Sequence, residues 1–352
     1  MYLKGLDTLR AVAALIVVWS HIEIIKEMYG LPTNWFRFFP NAHFSVTLFF
    51  VLSGFLITFL LTKEQENTGG ISLKKFYMRR ILRIWPLYYL ILLLSYFLGS
   101  SNVSIRTIVL SLMIFPNVPL ALKSKWEGSP QVWSIGVEEQ FYMFWPLLFL
   151  LLPMRRKSLW LFVFCLGITA LPYCLNYINI KTIYNEKLYS FVGKFFYYTK
   201  FNCMALGGVL GYSVAKGQRW IKAFYNNTFL VILSILVSFG IWFGNAKFGR
   251  FSDEVYAVFF ALMITGVAMN PRISIDTKVT KFFGKISYGL YMYHWMITIW
   301  VVKFLSKYEI ENSMMNILVY LLVFGLTTLV SWISYHTFEK YFLDIKKKFE
   351  IK

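Results

Sequence analysis

Long apolar runs separated by short polar connections dominate the chain and predict helices that cross a membrane. A helix needs about 20 mainly apolar residues to cross a bilayer. Ten runs approach this length, at residues 9–28, 43–62, 79–98, 134–152, 159–176, 195–215, 225–244, 253–270, 284–304 and 314–337. The pattern indicates an all-α, polytopic membrane protein of about ten helices. The stretch from Ile105 to Phe115 is too short and is interpreted as re-entrant or interfacial.

The composition supports a bilayer as the solvent for folding. Apolar residues make up 58% of the 352 residues and charged residues 15%, whereas soluble domains hold about 45–50% and about 25%. We expect one membrane domain over 1–345 and a short basic tail over 346–352. Charged residues precede the first apolar run and no cleavage pattern follows it, so we expect a retained helix rather than a signal peptide.

The net charge of +19 follows the predicted topology. If the N-terminus is cytoplasmic, the inner segments hold Arg79-Arg80, Arg155-Arg156-Lys157 and Lys346 to Lys348, and the outer loops hold fewer cations. This asymmetry fits the positive-inside rule and predicts both termini in the cytoplasm. Membrane lipids account for the charge without a nucleic-acid partner. The three cysteines have no metal-ligand spacing, so we expect neither a disulfide framework nor a metal site.

Two ionisable residues of the first predicted span lie on one face of the helix. Arg10 and His21 are eleven residues apart, which brings them within about 20° of one another and about 16 Å apart along the axis. Both side chains are therefore expected to line one cavity, with Asp7 beside Arg10. Spacing alone leaves two interpretations open, a structural ion pair with a core histidine or a site in which His21 is a general base.

Two other short sequences carry charge into predicted spans. Arg79-Arg80-Ile81-Leu82-Arg83 opens the third span and would suit either phosphate binding or anchoring to lipid headgroups. Glu138 and Glu139 lie near the predicted outer start of the fourth span, and their side chains diverge by about 100°. We expect one glutamate to face a cavity and the other to meet solvent or the helix dipole. Capping by Ser134 is an alternative.

The remaining histidines and a pair of glycines have structural interpretations when each is taken alone. His294 lies among aromatic residues of the ninth span, where a packed, hydrogen-bonded histidine is favoured. His43 and His336 lie at span ends, where a ring reaches the interface. Gly207 and Gly211 form a small-xxx-small pair that predicts a helix-packing contact.

Together these motifs resemble the acyltransferase 3 family of membrane O-acyltransferases. They run in order through Gly5 to Arg10 with His21, Leu48 to Thr58, Arg80 to Arg83, Trp133 to Tyr142 and Ile286 to Trp295. The similarity covers residues 5 to about 343. Several motifs in one order are far more specific than any single motif.

The resemblance implies transfer of an acyl group, commonly acetyl, from cytoplasmic acetyl-coenzyme A to a hydroxyl of a cell-surface or lipid-linked glycan in the bacterial cytoplasmic membrane. No metal is implied. The expected catalytic residues are His21, Arg10, Glu138 and Glu139. Coenzyme A binding is expected at Arg80 and Arg83, with Arg79 beside them. Substrate contacts are expected at Asp7, Trp133, Tyr142 and His294, and the family's final glutamate resembles Glu339.

One position departs from the family, because Thr47 stands where many members carry an aspartate. Some relatives also have a further hydrolase-like domain, whereas this chain stops at Lys352, so we expect it to act alone or with a separate partner. Two rival hypotheses are a glycan transporter or flippase and a purely structural membrane subunit. The second does not explain polar residues inside the spans.

Overall fold

Helices form the fold in a computed structural model of the protein, which describes residues 3–33, 40–99, 103–124, 126–177, 186–308 and 310–350. Within these ranges there is no β-strand, so the all-α prediction is confirmed. The helices are α1 Leu6–Met28, α2 Ala42–Thr68, α3 Leu73–Leu98, α4 Ile105–Leu112, α5 Asn117–Ala121, α6 Val132–Leu151, α7 Lys157–Tyr177, α8 Glu186–Tyr198, α9 Phe201–Ala215, α10 Arg219–Asn226, α11 Thr228–Phe243, α12 Ser252–Met269, α13 Lys278–Leu305, α14 Asn312–Ser334 and α15 Lys340–Lys347. A π-helical turn, Tyr335–Glu339, joins the last two.

Several helices are suited to crossing a membrane, as a polytopic protein requires. By length and composition, six described segments qualify: Leu6–Met28, Ala42–Thr68, Leu73–Leu98, Lys157–Leu175, Gly249–Met269 and Asn312–Lys347. The pair α10 and α11, bent by 80°, raises the number to seven if it counts as one span. Every predicted window falls on a helix, but α6, α9 and α13 lie outside this set. Ten spans and two cytoplasmic termini therefore stay predictions.

Helix α9 does not qualify because it is short, whereas α6 and α13 do not qualify because they are polar. α9 has 15 residues, or about 22 Å of helix, which is less than the thickness of the hydrocarbon core. α6 and α13 are longer but carry glutamates, histidine and many tyrosines. α4 has 8 residues, about 12 Å, which is too short to cross, as expected for the stretch from Ile105 to Phe115.

Helix α2 lies at the centre of the bundle, since 78% of its most apolar window is buried. Helix α9 crosses it backbone to backbone. A Cβ atom added to Gly207 would lie 2.2 Å from the Val51 carbonyl oxygen, and one added to Gly211 would lie 2.2 Å from that of Phe55. Only glycine permits such an approach. The predicted packing contact of this glycine pair is confirmed.

A similar close approach holds α1 against α13. A Cβ atom added to Gly284 would lie 2.4 Å from the Asp7 carbonyl oxygen. Beside this contact, Thr8 Oγ1 donates a hydrogen bond of 2.8 Å to Asp276, which also accepts one of 3.1 Å from the Gly5 backbone amide. These contacts fix the N-terminal end of α1 and thereby position the residues farther along the helix.

We expect Gly211→Ala to destabilise the bundle, because even one methyl group must push α9 away from α2. Overpacking of this kind typically costs about 1–3 kcal/mol of unfolding free energy. Thermal unfolding of the detergent-solubilised protein, followed by intrinsic fluorescence, measures the effect. Gly325→Ala is the matched control, since its added Cβ would have no described atom within 4 Å apart from its chain neighbours and the nearby backbone of its own helix. Equal unfolding temperatures for the two variants would contradict the packing argument.

Candidate active site

A cavity of about 110 Å³ lies among α1, α2, α3, α6 and α13, and we call it the central cavity. It brings together five residues predicted from the sequence, which are Arg10, Arg80, Arg83, Glu138 and Tyr142. Its charged lining therefore consists of three guanidinium groups and one carboxylate. Such a surplus of positive charge in a partly enclosed site favours an anionic or strongly polarised ligand.

Glu138 is the glutamate that faces this cavity. Its two carboxylate oxygens accept hydrogen bonds from Ser53 Oγ at 3.0 Å and from the Tyr142 hydroxyl at 3.1 Å. Sequence reasoning missed Ser53, although it lies within the Leu48 to Thr58 motif. The carboxylate is thereby held in one orientation on the cavity wall.

Glu139 points away from the central cavity, and the prediction that it meets solvent or a helix dipole is wrong. It is 5% exposed and accepts a 2.7 Å hydrogen bond from Trp85 Nε1. α6 begins at Val132, so Glu139 lies about two turns beyond the N-terminus, where the dipole is weak. Ser134 is not the cap either, because it follows the helix start and shares a 2.6 Å hydrogen bond with the Tyr291 hydroxyl.

The arginines of α3 connect the central cavity with a second one. Arg80 and Arg83 also line a cavity of about 460 Å³, the basic cavity, whose other charged residues are Lys63, Glu64, Arg79, Lys346 and Glu350. Five cations thus face two carboxylates. Arg80 lies over the Tyr142 ring, with 5.5 Å from Cζ to the ring centroid, and its Nε has no hydrogen-bond partner among the described residues.

Arg79 differs from its two neighbours, although it also lines the basic cavity. Its guanidinium donates to Glu64 at 3.1 Å and to the Phe349 carbonyl at 2.9 Å. It therefore ties α2, α3 and the C-terminal segment together, and part of its hydrogen-bonding capacity is already used.

His21 does not line the central cavity, so the expectation that it shares one cavity with Arg10 is wrong. Arg10 stays with Asp7, at 3.2 Å, whereas the His21 ring turns towards α13. His21 Nδ1 lies 2.7 Å from His294 Nε2, and the Trp295 ring packs edge-on against His21 at 5.0 Å between centroids. Neither glutamate orients this imidazole through a hydrogen bond in the described structure. The second histidine does so.

The hydrogen bonds of His294 define the protonation of the pair. His294 is fully buried, and its Nδ1 lies 2.7 Å from the Tyr291 carbonyl oxygen. A carbonyl only accepts, so Nδ1 carries the proton, and in a neutral ring Nε2 is then an acceptor. His21 Nδ1 must donate to it, which leaves the lone pair of neutral His21 on Nε2. This tautomer follows from the hydrogen-bond pattern rather than from visible protons.

Tyr291 connects the histidine pair with the central cavity. Tyr291 lines this cavity, and its hydroxyl shares a hydrogen bond with Ser134. Its backbone carbonyl accepts a hydrogen bond from His294 Nδ1. Sequence reasoning missed Tyr291, although its place one helical turn before His294 was a usable signal.

The other predicted residues lie outside the central cavity. Trp133 packs against Tyr198, at 5.5 Å between ring centroids. Glu339, the last residue of the π-helical turn, accepts a hydrogen bond of 3.2 Å from Ser334 at the end of α14. His336 donates from Nδ1 to the Trp332 carbonyl at 2.8 Å and is exposed.

His43 has a protein partner, which the expectation of a ring satisfied at the interface did not include. Its Nε2 donates to Asp253 at 2.7 Å. Thr47 Oγ1 donates to the same carboxylate at 3.2 Å, and Lys200 pairs with it. A carboxylate from α12 thus lies beside the position where Thr47 departs from the family.

Comparison with known proteins agrees with the motifs. Residues 3–336 match a family model described as an acyltransferase domain, the acyltransferase 3 family. A Staphylococcus aureus (strain COL) protein provisionally named an O-acetyltransferase is 26% identical over 378 residues, which cover 96% of this chain and 57% of that relative. The O-acetyltransferase OatA of Staphylococcus aureus (strain NCTC 8325 / PS 47) is 26% identical over 373 residues, covering 99% of this chain and 58% of the relative.

The chain therefore spans less than two thirds of the length of these relatives. No solved structure matches it. The family model, by contrast, covers nearly every residue and includes all the motifs on α1, α2, α3, α6 and α13. This chain belongs to the acyltransferase 3 family.

Proposed function

We propose that the protein is a membrane O-acetyltransferase that moves an acetyl group from cytoplasmic acetyl-coenzyme A to a hydroxyl of a cell-surface or lipid-linked glycan. We place it in a bacterial cytoplasmic membrane, with ten spans and both termini inside. The observation that carries the proposal is that Arg80 and Arg83 line both the basic and the central cavity. One long molecule with an anionic end could occupy both.

The donor would bind with its phosphates in the basic cavity. Arginine binds phosphate through paired, charge-assisted hydrogen bonds, and Arg80 and Arg83 face this cavity together with Lys63 and Lys346. Arg79 would contribute by holding the cavity wall. The pantetheine arm would then extend through the central cavity and past Tyr291, bringing the thioester to His21.

His21 would act as the general base. Its Nε2 accepts the proton of the acceptor hydroxyl, and the oxygen attacks the carbonyl carbon of the thioester. The C–S bond breaks as the ester forms, and the proton passes from His21 to the departing thiolate. His294 would be a positioning residue, because both of its ring nitrogens are already hydrogen-bonded. Arg10 and Glu138 would position the donor in the central cavity.

We expect His21→Ala to abolish transfer, since a positioned general base contributes about 10²–10⁴-fold. His294→Gln should keep more activity than His294→Leu, because an amide oxygen can still accept the His21 Nδ1 proton. Thiol release from acetyl-coenzyme A together with mass spectrometry of the glycan product measures transfer.

His336→Ala serves as the control for the histidine variants, since this ring is exposed and lies outside the cavities. Size-exclusion chromatography and thermal unfolding test whether each variant folds. Full activity in His21→Ala would refute its assignment as the general base. Absence of thiol release by the unaltered protein would favour a transporter, which needs none.

Arg83→Ala should raise the KM for acetyl-coenzyme A by about tenfold or more, the effect of losing a hydrogen bond between charged groups. The KM for the acceptor should change little, because the proposed contact is with the donor. Initial-rate kinetics with each substrate varied in turn measures both. Arg155→Ala, an exposed arginine of the turn Met154–Arg156, is the matched control. An unaltered donor KM would contradict the role.

Glu138→Gln should lower the transfer rate by about tenfold, because it removes the one carboxylate among the described residues of the central cavity. The adjacent isosteric change Glu139→Gln should cost less, since that side chain faces Trp85. Comparison of kcat for the two variants in one preparation tests the point. A larger loss in Glu139→Gln would reverse the proposed order.

A further inference from the structure

A third cavity, of about 570 Å³, lies at the start of α2 and shares no lining residue with the central or the basic cavity. We call it the polar cavity. Its wall is formed by the first turn of α2, the second half of α7, α8 and the starts of α9 and α12. In the proposed topology all of these segments lie on the outer side, opposite the proposed donor entrance.

A buried ionic network forms one side of the polar cavity. Asp253 accepts hydrogen bonds from His43 and Thr47 and pairs with Lys200. The side chains of Lys200 and Asp253 are 7% and 14% exposed. Burying such a pair carries a large desolvation penalty, and hydrophobic residues would close the same space at less cost. The network therefore gives the cavity a fixed polar wall.

Glu254 adds an acceptor that the described residues do not satisfy. Its Oε1 accepts a hydrogen bond of 3.0 Å from Asn202 Nδ2. Its Oε2 is buried without a hydrogen-bond partner in the described structure. A carboxylate oxygen left in this state costs free energy, and a ligand hydroxyl that donates to it would recover that cost.

The cavity also has an aromatic surface. The Tyr197 ring stacks on His43, with 5.8 Å between centroids and 15° between planes. Lys200 Nζ lies 4.6 Å from the centroid of the Tyr197 ring. Tyr197 is still 55% exposed, so part of the ring is open to a ligand. The C–H face of a pyranose ring packs on such a surface, while its hydroxyls reach neighbouring polar groups.

Among the described residues, the charges of the lining balance. Asp253 and Glu254 oppose Lys200 and Arg250, in contrast to the surplus of cations in the other two cavities. A ligand with high negative charge gains little here. A neutral molecule with many hydroxyl groups matches the mixture of donors and acceptors.

Contacts lead from the polar cavity towards the histidine pair. Tyr198, next to Tyr197 on α8, packs against Trp133. Trp133 adjoins Ser134, which bonds to Tyr291, and the Tyr291 carbonyl holds His294. A chain of sugars seated in the polar cavity would thus lie beside the elements that carry the reaction.

We propose that the polar cavity is a binding site for neutral sugar units of the acceptor, with Glu254 accepting a hydroxyl proton and Tyr197 stacking on a pyranose ring. The inference rests on the proposed function, because it names part of the acceptor of that reaction. The polar cavity would hold the acceptor, and His21 would act on it.

The test is direct binding to the full chain in lipid nanodiscs, without donor, by isothermal titration calorimetry. The probes are cellotriose, maltotriose and chitotriose. We expect at least one to bind saturably, and Glu254→Gln to weaken it by about tenfold, the loss expected for one hydrogen bond to a charged group. Asp344→Asn, a half-exposed carboxylate paired with Lys347, should bind like the unaltered protein.

A second pair of variants keeps the test independent of folding at Glu254. Tyr197→Leu should weaken the same probe, whereas Tyr197→Phe, which keeps the ring, should retain it. No saturable binding by any of the three probes would overturn the inference. So would unaltered affinity in Glu254→Gln and Tyr197→Leu, or displacement of the probe by added phosphatidylglycerol, which would mark a lipid site.

Different results would refute the sugar site and the proposed function. His21→Ala should bind the oligosaccharide normally and lose transfer, which supports both. Normal binding without thiol release or transfer by the unaltered protein would refute the proposed function, and the sugar site would then belong to another activity. Unaltered binding in both Glu254→Gln and Tyr197→Leu, with transfer lost in His21→Ala, would refute the sugar site alone.

Discussion

The hydrocarbon core of a bilayer has no water to solvate polar groups, and most of this structure follows from that constraint. Backbone amides must bond within the chain, so the described residues fold into helices. Side-chain charges at the same depth must find partners or line a cavity. Asp7 with Arg10, Glu64 with Arg79, and Asp253 with Lys200 show the first solution. Arg80, Arg83 and Glu138 show the second.

Close helix packing decides where those cavities form. Lipid provides little hydrophobic force between helices, so small residues and backbone contact take over. The glycines of α9 let it lie directly on α2, and Gly284 lets α13 lie directly on α1. The central cavity lies where α1, α2 and α13 meet α3 and α6.

Local patterns allowed much of the fold to be predicted from sequence. Every apolar run that predicted a span lies on a helix. The four-residue spacing of Gly207 and Gly211 predicted their packing contact. The family resemblance marked Arg10, Arg80, Arg83, Glu138 and Tyr142 as site residues, and the structure brings all five to one cavity. Their chemical roles are a separate matter and rest on the proposal.

Contacts between distant segments could not be read in this way. His21 and His294 are 273 positions apart, and helical periodicity carries no information on which helix faces which. For the same reason the sequence placed Arg10 and His21 in one cavity and gave His43 to the interface. The start of α6 was also missed, since apolar residues before Ser134 extend the helix by two positions and move both glutamates away from its dipole.

The pairing of two histidines has a consequence for the energy of the resting protein. A base oriented by a carboxylate would place a permanent negative charge deep among the helices, and that charge would require its own counterion. In this structure the hydrogen-bond partner of His21 is a second imidazole, whose Nδ1 is held by a peptide carbonyl of its own helix. Two neutral rings bring no net charge to this depth. With His21 as the base that we propose, charge would separate there only while a proton is in transit, and the pair would need no standing counterion.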